Sequence, residues 1–227
     1  MSRPCTPPTP LASPPVLLHH RRNSKLLAIQ ERVDDVQRLD GEATLAISTE
    51  IARLYRDCYA RPPWSETPAQ IAAYPEKLAA STRRERFTAW VAWDSGRLAG
   101  ICYGWPTPGD LSGNRVYAML ARAAGVEGAV MLTRDAFEVA ELFVHPAHQR
   151  RGLGRTLLTR AVAGWDTAWL ITHPGAPAAR LYERLGWRRH VALPADFYPQ
   201  LPMSVYVLHR TRPSAPARDA RAQLDPL

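Results

Sequence analysis

Cysteine and lysine are scarce in this 227-residue chain, and long apolar runs are missing. The cysteines are Cys5, Cys58 and Cys102, odd in number and widely spaced, with no C-x-x-C. That excludes a disulfide framework and a zinc ribbon, and makes a reducing cytoplasm the expected compartment. Lysine occurs only at 25 and 77 although Lys and Arg together number 29. We read the arginine excess mainly as a bias of genomic composition. No apolar run approaches the length of a membrane span, because charge, Pro or Gly interrupts each one. The start of the chain also lacks the apolar stretch of a signal peptide. Neither a membrane protein nor a secreted one is expected.

What is present is a hydrophobic fraction of 46%, enough for one ordinary domain with a core. The formal charge is +8. Residues 40–210 hold 20 basic and 16 acidic residues, a balance of +4, and the two flanks supply the other +4. A basic balance suits nucleic acid, an anionic membrane or a polyanionic cofactor, and does not choose among them. Six prolines fall in the first fifteen residues, and no acid precedes Glu31. Residues 1–25 read as a disordered leader, or as a start set too far upstream, with a transit peptide as the weaker alternative. Residues 211–227 read as a disordered tail. One domain is left in residues 26–210.

Along that domain, "TLAISTEIARLYRDCYARPPW" sets Ile47, Ile51, Leu54, Tyr55 and Cys58 on one helical face until "RPPW" stops it. "TPAQIAAYPEKLAAS" predicts a second helix, with Thr67 as cap and Pro68 at the first position. "FTAWVAWDSGRLAGICYGWP" alternates and turns at "DSG", as a β-hairpin does. Residues 106–135 read as Gly-rich and irregular, with a short helix near 115–124. "AFEVAELFV" and "DTAWLITH" are strands, "GLGRTLLTRAVAG" and "APAARLYERLG" helices, and "WRRHVAL" and "SVYVLHR" closing strands. A strand–helix–strand unit of parallel character therefore sits in the middle.

The turn in that unit, "VHPAHQRRGLGRTLL", leaves a strand on Pro146 and enters a helix directly. A helix N-terminus exposes unpaired amides and carries partial positive charge, which makes it an anion site. Gly152 and Gly154 remove side chains where a ligand would approach, and Arg150, Arg151 and Arg155 add fixed charge. A side chain at 152 is expected to block the ligand and spare the helix. The spacing is neither the Walker pattern nor the three-glycine dinucleotide fingerprint. Alone, the turn could be a mere connector.

Two motifs together go further. "LFVHPAHQRRGLGRTLL" resembles the acetyl-CoA signature of the GNAT superfamily of N-acetyltransferases, Q/R-x-x-G-x-G/A, through Gln149, Gly152 and Gly154. "APAARLYERLGW" resembles a second segment of that family through Ala178, Leu181, Tyr182, Gly186 and Trp187. The resemblance covers residues 40–210. It implies an α/β (α+β) fold: a mixed, largely antiparallel central sheet with one parallel, splayed strand pair, flanked by helices. It implies acetyl-CoA as cosubstrate. Pantetheine would lie in the split between "ELFV" and "AWLIT" against the backbone of Leu142, Phe143 and Val144. The pyrophosphate would sit on residues Gln149, Arg150, Arg151, Gly152, Leu153, Gly154 and Arg155. Where the family often has an asparagine, seven residues before the tyrosine, this chain has Gly175, so Thr172 or His173 would have to substitute.

Acetyl transfer to an amine needs a base, because a Lys-like amine has a pKa near ~10.4 and must attack neutral. It also needs a donor for the developing oxyanion and an acid for the leaving thiolate. The resemblance gives Tyr182 the acid role; otherwise it is an ordinary core aromatic. Glu138 and Glu141 are the two candidate bases, with a slight preference for Glu141, and either could instead be paired with an arginine. Three residues apart on one strand, they are expected on opposite faces. No metal is expected: His145 and His148 lack a third ligand at a sensible spacing. "STRRERF" reads as a solvated helix end rather than a nucleic-acid patch. Trp64 in "ARPPWSE" either touches the acceptor or anchors packing.

The expected function is acetyl-CoA-dependent transfer of an acetyl group to a primary amine of a small molecule or protein. Two rivals remain. One is a non-catalytic acyl-CoA-binding regulator on the same fold. The other is a basic nucleic-acid-binding protein, which no DNA-reading motif supports. The acceptor, the length of the acyl group and the oligomeric state, a homodimer included, stay open.

Overall fold

The computed structural model describes residues 36–210. The leader at 1–25, the following ten residues and the tail at 211–227 lie outside the described residues. Seven strands form one sheet in the order β1-β2-β3-β4-β5-β7-β6. They are β1 (Val36–Leu39), β2 (Thr88–Asp94), β3 (Arg97–Pro106), β4 (Ala136–Val144), β5 (Thr167–Thr172), β6 (Arg188–Ala192) and β7 (Ser204–His209). Six helices accompany them: α1 (Gly41–Ala46), α2 (Ser48–Tyr59), α3 (Pro68–Thr82), α4 (Arg115–Thr133), α5 (Leu153–Ala161) and α6 (Pro177–Arg184). Every strand pair is antiparallel except β4 with β5. The fold class expected from sequence is the one observed.

Local chemistry accounts for the elements. Asp40 caps α1 by accepting from the Ala43 amide at 2.9 Å. Thr67 and Gln70 form a reciprocal capping box at α3, and Pro68 stands in its first turn. The hairpin turns at Ser95 and Gly96, both at positive φ. Alternation then sorts the strands onto two faces. Cys102, Ala168, Leu170, Tyr206 and Leu208 point to one face, where α5 and α6 bury Leu153, Leu157, Leu158 and Tyr182. Ile101, Tyr103, Trp105 and Phe143 point to the other, under Ile51, Leu54, Tyr55, Tyr74 and Leu78 of α2 and α3. On that second face α4 covers the far half of the sheet, packing Tyr117, Leu120 and Leu132 on Trp169, Val205 and Val207.

Three expectations need correction. Residues 106–135 are not mainly irregular: α4 runs 19 residues in two helical halves joined at Gly125, where φ is +73°. A glycine absorbs that conformation without a Cβ clash. The helix continues because Ala129, Leu132 and Thr133 are buried beyond the kink. By length and composition α4 is also long and apolar enough to cross a membrane, which the sequence reading denied to every segment. In this fold it packs one face on the sheet, through Tyr117, Leu120 and Leu132, and leaves Val126, Val130 and Met131 exposed. Finally, β1 was not foreseen. It is four residues at the sheet edge, pairing Val36 to Leu39 with Ala92 to Ala89.

Candidate active site

The site is set by where β4 and β5 stop pairing. Their parallel ladder holds only three pairs, the last being Glu138 with Trp169. Beyond it β4 pairs with β3 alone, while β5 stays bonded to β7 along its whole length. The strands therefore diverge, and Val139 to Val144 of β4 face an opening. Leu142, Phe143 and Val144 lie on this stretch, as expected. The Val144 carbonyl accepts from Gln149 Nε2 at 3.0 Å and from Cys58 Sγ at 3.3 Å. Gln149 thus ties the turn back to the strand end. Burial pushes the Cys58 thiol up to about 12, with Asp57 adding to the effect, so it stays protonated and donates.

The mouth of the opening is the N-terminus of α5. Thr156 is the first residue there whose amide returns to a helical carbonyl, that of Gly152, at 3.0 Å. Among the described residues the amides of Arg150 to Arg155 find no acceptor. Arg150 and Gly152 have φ of +62° and +88°, and such alternation of hand turns successive N–H groups toward one side. The fit to an anionic phosphate is good: unpaired amides, a helix N-terminus and exposed Arg150, Arg151 and Arg155 share one loop.

The two glycines play different parts from those expected. A Cβ at Gly152 would meet nothing within 4 Å, but the left-handed backbone there penalises any side chain. A substitution at 152 is therefore strained and cannot be assumed to spare the helix. A Cβ at Gly154 would touch Leu181 Cδ2 at 3.4 Å and Val144 Cγ2 at 3.7 Å, so this glycine faces the protein interior.

Glu138 and Glu141 were expected on opposite faces. They share one. Tyr103 pairs with Glu141 and the next residue, Gly104, with Val139, so Ala140 has no partner on β3. This β-bulge adds one residue and re-phases the alternation. Glu138 lies opposite Trp105 and Glu141 opposite Tyr103, both on the face of α2 and α3. Gly104 makes the bulge feasible: a Cβ there would lie 2.0 Å from the Glu138 carbonyl oxygen.

The two carboxylates are held differently. Glu141 has both oxygens engaged, Oε1 by Lys77 Nζ at 2.5 Å and Oε2 by the Tyr59 hydroxyl at 2.8 Å. Lys77 is raised above the ordinary lysine range, chiefly by the charge of Glu141. Glu138 accepts through Oε2 alone, from Tyr117 at 2.6 Å and Trp105 Nε1 at 3.0 Å. Its Oε1 has no partner among the described residues, where no buried side-chain oxygen is left unpaired. Oε1 is therefore the oxygen that reaches open space. Burial raises Glu138 above the usual carboxylate range, opposed by the bonds from Tyr117 and Trp105 and by Arg84. A carboxyl so placed is a better base at neutral pH than an ordinary one.

Tyr182 approaches from the other face, buried at 5% exposure between Trp187 and Tyr206. Its hydroxyl also has no partner among the described residues and must likewise reach accessible space. Burial raises its pKa, with Cys102 and Glu141 adding to the effect. It remains a phenol able to donate. Beside the end of α2 Trp64 packs 5.4 Å from Tyr59, and Glu66 accepts from Tyr55 at 2.9 and 2.8 Å. His145 and His148 point to different carboxylates, Asp57 and Asp94, each at 3.7 Å. His173 Nδ1 donates to the Pro202 carbonyl at 2.9 Å, and Thr172 lies within the β5–β7 ladder. A cavity of about 850 Å³ lined by Val126, Val130, Met131 and Trp165 lies at the opposite end of β4 and β5, beside Asp135 and Thr167. It shares no residue with the split.

Residues 85–189 match the Acetyltransferase (GNAT) domain family. That stretch, 105 of the 227 residues, is similar to a GNAT acetyltransferase domain. The GNAT match spans the hairpin, α4, both strands of the split, α5 and α6. Mycothiol acetyltransferase of Saccharomonospora viridis is 42% identical over 92 residues, 37% of this chain and 30% of that relative's length. Among solved structures, the ribosomal-protein-S18-alanine N-acetyltransferase of Escherichia coli aligns over 79% of this chain and 96% of its own, at 17% identity and TM-score 0.53. The PaiA N-acetyltransferase of Thermoplasma acidophilum, solved with coenzyme A, aligns over 77% and 99% at 12% identity and TM-score 0.51. At such identities these structures establish the GNAT fold alone.

Residue by residue, the structure brings Leu142, Phe143, Val144 and the 149–155 turn to one opening, with Glu138, Glu141 and Tyr182 around it. The sequence reading missed Tyr59, Lys77, Trp105 and Tyr117. Lys77 carried a signal: in a chain that uses arginine almost everywhere, one of only two lysines stands there. The other three looked like core aromatics.

Proposed function

We propose that this chain is an acetyl-CoA-dependent N-acetyltransferase acting on a primary amine. The observation that carries the reading is the split itself. Two uncommitted oxygens, Glu138 Oε1 and the Tyr182 hydroxyl, approach it from opposite faces of the sheet. The unpaired amides at the start of α5 and the arginines around them would hold the pyrophosphate. The free edge of Val139 to Val144 would bond the pantetheine arm. When bound, acetyl-CoA supplies the acetyl thioester. Glu138 then accepts a proton from the amine, directly or through water, and Tyr182 donates one to the departing sulfur. Ala140, left without a partner by the bulge, has the amide best placed to face the developing negative charge. Glu141, whose oxygens are both engaged, acts in this scheme as a tie between β4 and the helices, which reverses the preference drawn from sequence. The free thiols of Cys58 and Cys102 suit a reducing compartment, and the cytoplasm is the proposed place of action.

The test is a panel of small amines and peptide amines with acetyl-CoA, following free thiol. Acetyl-CoA binding with no thiol released by any amine would make the chain a binding protein instead. Within an active pair, Tyr182→Phe keeps the ring and removes the proton. Turnover should fall by about 100-fold or more while acetyl-CoA affinity holds. Equal turnover in both proteins, measured where chemistry limits the rate, would remove Tyr182 from the mechanism.

A further inference from the structure

Antiparallel neighbours such as β3 and β4 can be joined by a two-residue turn. Here 29 residues, 107–135, intervene, and they carry α4. That helix places one side chain on the candidate base. Asn114 caps α4 by accepting from the amides of Val116 and Tyr117, at 2.9 and 3.4 Å, which fixes its first turn. Tyr117, only 2% exposed, then donates to Glu138 Oε2 at 2.6 Å.

The phenol is itself held from two sides. Trp105 Nε1 of β3 lies 3.4 Å from its oxygen, as does Arg84 Nη1 from the segment after α3. The Arg84 guanidinium also stacks 4.7 Å from the Trp105 ring. Around Glu138 stand Trp105 on β3, Trp169 across the ladder on β5, Arg84 after α3, Tyr117 on α4, and Glu141 further along its own strand. Tyr117 and Arg84 are the ionisable groups brought to it from other elements.

We propose that Tyr117 is a positioning residue for Glu138: with Trp105 it occupies Oε2 and leaves Oε1 as the oxygen presented to the acceptor amine. This rests on the reading of Glu138 as the base. Burial keeps Tyr117 protonated, so it donates throughout the working range. A donor on the charged form favours that form. Tyr117 therefore both aims the carboxylate and keeps it available against the cost of burial. The 29-residue connection is then part of the active site, delivered from outside the strands that form the split.

The experiment compares the full-length protein with Tyr117→Phe and, as a second variant, Arg84→Met. Two readouts are taken on each: the pH profile of kcat/KM, and the titration of the Glu138 carboxyl followed by carbon NMR in the protein without acetyl-CoA. In Tyr117→Phe the acidic limb should move to higher pH, so that activity on that limb falls about tenfold more than on the plateau. The KM for acetyl-CoA should stay within twofold. The NMR titration should move in the same direction, and Arg84→Met should move both less. A lowered melting temperature with both titrations unmoved would overturn the proposal and leave Tyr117 as packing. If Tyr117→Phe does not fold, unmoved titrations in Arg84→Met overturn it. A shifted NMR titration in a protein that acetylates no amine would sink the transferase reading while upholding the control of Glu138 by Tyr117.

Discussion

Glu138 and Glu141 share a strand, a face and an exposure of only 9%, yet opposite outcomes are expected on neutralising them. Glu138→Gln keeps an acceptor for Tyr117 and Trp105 and removes a charge that burial disfavours. A carboxyl raised in the folded state adds stability while protonated and loses that contribution as pH rises through its folded value. At neutral pH the Gln variant should thus melt at or above the parent temperature, with the gain fading as pH falls below that value. Its turnover should drop by about 100-fold or more. Glu141→Gln breaks the pair with Lys77 and should melt lower, with a smaller loss of turnover. Differential scanning and steady-state rates on the two proteins decide the matter, and the reversed pattern would make Glu141 the base. The sequence showed both carboxylates but misjudged their faces. Counting by two along a strand fails across a bulge, and nothing in "AFEVAELFV" announces one. The signal lay on the partner strand, in Gly104.

Among the elements, α5 is the one whose start matters most. Gly152→Ala should cost about 1 kcal/mol or more from the left-handed backbone, lowering the melting temperature by a few degrees. It should also raise the KM for acetyl-CoA by distorting the amides of the turn. Gly154→Ala meets only ordinary contacts and replaces glycine inside a helix, so stability should hold or rise by up to ~1 kcal/mol, with KM unchanged. If both variants bind acetyl-CoA like the parent, the turn is only a connector. These elements were legible because their signals are local: the Thr67 cap, the alternation of the hairpin, the apolar face of "GLGRTLLTRAVAG". What escaped is set by distant contacts. The second half of α4 continues past Gly125 because β5 and β7 offer Trp169, Val205 and Val207 to bury it. Strand β1 is too short to show a period and exists because β2 offers an edge.

For the whole molecule, a ligand that binds only the folded state stabilises it. Acetyl-CoA at a hundred times its dissociation constant should add ~2.7 kcal/mol, roughly 5–10 °C for a chain of this size. A thermal scan showing no shift at millimolar acetyl-CoA, in well-folded protein, would count heavily against the reading. The bulge at Ala140 bears on chain length as well as on geometry. On either side of it the register with β3 runs through adjacent residues, Tyr103 with Glu141 and Gly104 with Val139. Excising Ala140 would leave all those partners matched, and Glu138 and Glu141, now two apart, would keep their common face. The strand is therefore one residue longer than its ladder needs. A single-codon deletion, unlike any substitution, separates the pairing of β4 from its bend. On the proposed mechanism it should yield a protein that still takes up acetyl-CoA, as a thermal shift would show, and turns over far more slowly for want of the Ala140 amide.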